Sequence, residues 1–142
     1  MVDSRTSQPV DDDAVVIEHV IKRYFANKNL IEAVAEIYDI RTLFVWQPVP
    51  TYKYDDEKFH LYLEGGYGQH MRSRYGYATL ASLFSTQGQD ENYVWLADIQ
   101  ANQQKPLYVD KVHYTAAFSQ RIALHIAEEI RPLLTLALHA HE

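Results

Sequence analysis

The sequence predicts an α/β layer fold, a small and incomplete parallel sheet flanked by helices. Three observations lead to it. Residues 42–47 (TLFVWQ) and 93–97 (YVWLA) are short runs of β-branched and aromatic residues, the composition of buried strands. Stretches with apolar residues at helical spacing lie before, between and after them. Helix, strand, loop, helix, strand, loop, helix is the order of an α/β layer. At 142 residues the chain has the length of one domain with a single core.

The elements follow in chain order. Residues 1–12 are polar, contain Pro9 and end in consecutive aspartates, and read as a flexible start leading into a helix N-terminus. Residues 13–38 hold neither Gly nor Pro. There Val16, Ile17, Val20, Ile21 and Tyr24 recur at helical spacing, and Leu30, Ile31, Val34 and Ile37 repeat the pattern. Asn27 and Asn29 leave open whether this is one long helix or two. The first strand, 42–47, is expected to be buried on both faces with Trp46 in the core, and Pro48 and Pro50 stop it. Loop must follow at 51–60, and the Gly- and Tyr-rich stretch 61–77 matches no single pattern. Residues 77–84 predict a short helix, 93–97 the second strand and 107–109 an extended stub. The last helix, 116–130, carries Ile122, Ala123, Ile126, Ala127 and Ile130 on one face. Pro132 is expected to kink or end it, because an interior proline removes a backbone bond. An apolar tail, 132–142, closes the chain. With no repeat and no linker, 13–131 is expected to form a single domain.

Composition excludes several classes of function. The net charge of −6 argues against nucleic acid as a partner, since phosphate binding rests on clustered Lys and Arg. No run approaches the roughly 20 apolar residues of a membrane span, and the start has no apolar signal core. A cytoplasmic protein without membrane contact is the expectation. No cysteine is present, so no disulfide scaffold exists. A two-stranded sheet leaves unpaired edges and uncovered apolar faces, and together with the apolar tail this predicts a homodimer or higher homo-oligomer.

Candidate chemistry concentrates in one segment. Asp110 and His113 stand three residues apart between the extended stub and the last helix. A carboxylate bonded to one imidazole nitrogen fixes the tautomer and leaves the other nitrogen to take a proton. The structural alternative is that Asp110 and Thr115 cap the helix while His113 is an ordinary loop residue. Ser82, Ser85 and Ser119 read as surface or capping hydroxyls. His60, His70 and His125 have no partner at ligand spacing, and His139 with His141 reads as a terminal pair rather than a metal site. Tyr52, Tyr54, Tyr62, Tyr67, Tyr75 and Tyr77 would line either a pocket or an oligomer contact.

Residues 108–130, YVDKVHYTAAFSQRIALHIAEEI, resemble the C-terminal block of SGNH (GDSL-type) serine hydrolases, in which the catalytic Asp and His share one loop before the last helix. Residues 30–54 are similar to the helix, strand and Gln-Pro loop, here Gln47-Pro48, that precede that block in some members. The resemblance spans roughly residues 13 to 130 and implies part of a flavodoxin-like layer. By position, it makes His113 the general base and Asp110 its orienter, acting without a cofactor on a small ester. The family's Gly-Asp-Ser block has no proper counterpart. Asp3-Ser4 follows only Met1 and Val2, which cannot supply the preceding strand, and no Gly-x-Asn-Asp block follows. The resemblance therefore implies the C-terminal portion of such a hydrolase, truncated and inert or nearly so by itself. The alternative is a non-catalytic α/β protein that self-associates.

Overall fold

The computed structural model describes residues 11–54, 59 and 66–139. The expectations for the flexible start, Ser4, His60, Tyr62 and His141 fall outside them. Among the described residues the protein is mixed α/β, with three α-helices and a two-stranded parallel sheet. The chain divides into two compact units, Met1–Thr42 with Gln69–Gly88, and Leu43–Gly68 with Gln89–Glu142.

The first unit is helical. Helix α1 (Asp11–Ile37) runs unbroken through Asn27 and Asn29, so the single long helix is the observed form. It ends without glycine. Asp39 takes the left-handed conformation at φ 53°, the Ile40 amide donates to the Ala35 carbonyl at 2.9 Å and the Asp39 amide to that of Glu36 at 3.2 Å. These two bonds close the Schellman turn that usually employs glycine, and a short acidic side chain tolerates the geometry. Helix α2 (Met71–Gln87) packs against α1. It starts six residues before the expected 77–84 helix because Gly76 sits in its interior, where sequence alone suggests a break. Gly88, at φ 80°, caps it through an amide bond to the Phe84 carbonyl. Phe25 meets Phe84 edge to face at 6.5 Å, and Arg72 bonds Asp13 at 2.7 Å.

The buried side of α1 carries Ile17, Ile21, Lys28 and Ala35. Lys28 is only 4% exposed, and its ammonium meets Glu32 at 2.7 Å. Val16, Val20, Leu30, Ile31, Val34 and Ile37 are exposed, although their spacing reads as core. The helix is apolar on two sides, and spacing alone does not say which one packs.

The second unit contains the sheet. Strand β1 (Phe44–Trp46) pairs in parallel with β2 (Tyr93–Trp95), Phe44 opposite Tyr93, Val45 opposite Val94 and Trp46 opposite Trp95. Alternation then assigns the faces. Val45 and Val94 join Leu96, Leu107, Tyr108, Phe118 and Ile122 in the core beneath helix α3 (Ala116–His139). On the other face Trp46 stacks with Tyr93 and Trp95 at 6.5 and 6.2 Å between ring centres. β1 is half-buried along its length, which corrects the expectation of a strand covered on both faces and of a core Trp46. In a two-stranded sheet each strand is an edge.

At Pro132, where the sequence predicts a kink or an end, helix α3 does not end. Pro132 lies inside it and the helix continues to His139, so the tail is helical as far as that residue. Pro132 and Glu128 are both exposed, so water can take the bond that the Glu128 carbonyl loses.

Candidate acid–base site

The site is built on the second unit. The stub at 107–109 turns back on itself, with Tyr108 bridging Tyr114 in an antiparallel pair. Bonds from the Thr115 amide to the Leu107 carbonyl (2.8 Å) and from the Val109 amide to the His113 carbonyl (2.9 Å) close a tight loop at 109–113. Thr115 caps α3, its hydroxyl accepting from the Phe118 amide at 3.3 Å. Asp110 and His113 are thereby set on one rigid turn immediately before the helix.

Within that turn the two oxygens of Asp110 do different things. Oδ1 accepts from the Val112 amide at 2.9 Å and the His113 amide at 2.8 Å. Oδ2 meets His113 Nδ1 at 2.6 Å. The two backbone donors, and then the imidazole, pull the carboxyl down to about 2, well below the usual Asp value. An ionised carboxylate only accepts, so Nδ1 is the donor, and in the neutral imidazole the lone pair is then on Nε2. The Asp110 and His113 side chains are 50% and 72% exposed, and Nε2 makes no hydrogen bond among the described residues.

Two braces hold this hairpin over the chain that leaves β1. The Tyr114 hydroxyl donates to the Pro48 carbonyl at 2.6 Å, and burial pushes that phenol up to about 12. Fully buried Gln100 donates to the Val49 carbonyl at 2.7 Å and to the Tyr52 carbonyl, and accepts from the Tyr108 hydroxyl. Tyr54 completes the lattice, donating to the Lys105 carbonyl at 3.1 Å and accepting from the Leu107 amide at 3.0 Å. The pair thus sits beyond the carboxyl end of β1, where open α/β sheets place their ligands.

Sequence reasoning missed Gln100, a glutamine inside the turn segment 97–102 that no neighbouring pattern marks as buried. Among the described tyrosines, Tyr52, Tyr54 and Tyr67 are buried and Tyr75 and Tyr77 half-buried.

The hydroxyl candidates are placed as follows. Ser119 is exposed on the first turn of α3, its amide bonded to the Thr115 carbonyl at 2.9 Å. The Ser85 hydroxyl bonds back to the Ser82 carbonyl at 2.9 Å, an ordinary helical contact. His125 pairs with Glu128 at 3.7 Å on the surface of α3, and His70 ends the 3-10 turn before α2. Among the described residues no three His, Asp or Glu side chains are placed to hold a metal ion, and no helix is long and apolar enough to cross a membrane. No family model, curated protein or solved structure matches the chain.

Proposed function

We propose that Asp110 and His113 are the acid–base pair of an ester-hydrolysing site of the SGNH kind, and that by itself this chain hydrolyses esters only very slowly, for want of a hydroxyl delivered to His113. The observation that carries the reading is the 2.6 Å contact between Asp110 Oδ2 and His113 Nδ1, made by a carboxylate already anchored to two amides. That arrangement fixes the ring, leaves Nε2 as base and stabilises the imidazolium formed when it accepts a proton. In acyl transfer the base takes the hydroxyl proton as the oxygen attacks the ester carbonyl. It then returns the proton to the departing alcohol, and water repeats the cycle on the acyl-enzyme. Without a positioned nucleophile, rates fall by several orders of magnitude. The substrate class is a small ester, no cofactor is required, and the cytoplasm is the compartment proposed.

The test is hydrolysis of a short-chain nitrophenyl ester by the full chain beside His113→Ala and Asp110→Asn. A slow release of nitrophenol that both substitutions reduce is the expected result. Equal rates in all three proteins would remove the catalytic reading.

A second reading is favoured by a separate observation, the exposed apolar side of α1. On this reading the protein self-associates as a homodimer or higher homo-oligomer. Light scattering of a monodisperse monomer at about 50 μM, above the Kd of ordinary specific pairs, would count decisively against it.

A further inference from the structure

The outward side of α1 has more order than an apolar patch. Val20, Asn27 and Val34 are spaced by seven residues, and so are Val16, Arg23, Leu30 and Ile37. The two series interleave at alternating steps of four and three, the a and d positions of a heptad seam. All seven are exposed, whereas the side buried in the first unit carries Ile17, Ile21, Lys28 and Ala35. At 100° per residue the centres of the two sets lie about 125° apart around the helix, so the seam is a side distinct from the buried one. Ala26 and Ala33 flank the outer seam and let a second helix approach closely.

We propose that this seam pairs with α1 of a second copy of the chain, antiparallel, about a two-fold axis near residue 25. The inference rests on the self-association reading and names its surface. In this register Val20 packs on Leu30 of the second copy, Val16 on its Val34, and Arg23 on its Asn27. Each contact occurs twice, as an isologous pair requires. Arg23 and Asn27 therefore meet each other, while Ile37 at the end of the seam falls opposite Asp13 of the second copy. A parallel pair would set Arg23 against Arg23, placing like charges face to face. The axis also lies close to the middle of the 27-residue helix, so the two copies overlap along nearly its whole length.

The area is that of a weak or transient pair. Full burial of an aliphatic side chain removes on the order of 100 Å² of apolar surface. Val16, Val20, Leu30, Ile31, Val34, Ile37 and Tyr38 are between 39% and 77% exposed. Together they offer roughly 400 Å² per copy, to which the two alanines and the stems of Arg23 and Asn27 add, approaching the roughly 1,000 Å² total of a specific interface.

The absence of cysteine makes the register directly testable, since introduced thiols have no competitors. Val20→Cys and Leu30→Cys proteins, mixed and mildly oxidised, should form a disulfide-linked dimer that neither forms alone. In the antiparallel pair two copies of position 20 are ten residues apart, about 15 Å, beyond the roughly 7 Å reach of a disulfide. Leu30→Glu with Val34→Glu should weaken the dimer at least tenfold in sedimentation while far-ultraviolet circular dichroism is retained. Should that double variant unfold, the cysteine pair still decides the register. A monomeric wild-type chain would overturn both this interface and the self-association reading. A dimer that survives the two glutamates, or that Val20→Cys alone cross-links, would overturn this interface only.

Discussion

Asp110 has its charge tied to the shape of its loop. Its carboxyl is held at about 2 by the Val112 and His113 amides and the His113 ring. The folded value lies below the ordinary 3.8, so the stabilisation is fully present above about pH 4 and is lost as pH falls through 2. The Val112 and His113 amide proton shifts, followed by NMR, should titrate with a midpoint near 2. A midpoint near the ordinary value would mean that the loop bonds do not form in solution. Gln100 is a different case, buried and joined to the Val49, Tyr52 and Tyr108 groups. Gln100→Ala strands two carbonyls and a hydroxyl and leaves a cavity, which should cost about 3 kcal/mol. A denaturant midpoint unchanged from wild type would contradict that account.

At the scale of elements, α2 contains a residue its structure does not require. Gly76 lies in the helix interior with ordinary helical backbone, and an added Cβ there would meet nothing within 4 Å. Glycine in such a place costs helix stability relative to alanine through backbone entropy alone. Gly76→Ala should therefore raise unfolding free energy by about 0.5–1 kcal/mol, measured by urea denaturation. A loss of stability instead would show that the position needs glycine for a contact or a motion. This glycine is also why the start of α2 was hard to read from sequence. The ends of α1 and α3 were obscured for related reasons. Asp39 performs the turn expected of glycine, and Pro132 is tolerated where its broken bond faces water.

For the molecule as a whole, what could be read in the sequence was local. The long apolar periodicities marked α1 and α3, two β-branched runs marked the strands, and the three-residue spacing marked the Asp110–His113 pair. All of these depend on residues a few positions apart. What escaped depends on packing between distant segments. Which side of α1 is buried depends on what packs against the helix, α2 included, and half-burial of Trp46 on the number of strands beside it. The braces from Gln100 and Tyr114 span 51 and 66 residues of chain, and no pattern within one segment reports them.

One detail of the turn at 109–113 reaches further than its size. A single side chain serves two masters, with one oxygen folding the peptide and the other steering the ring. Conformation and reactivity are therefore switched together. A His113 ring held through Nδ1 on Asp110 Oδ2 is itself a report that the neighbouring acid is ionised.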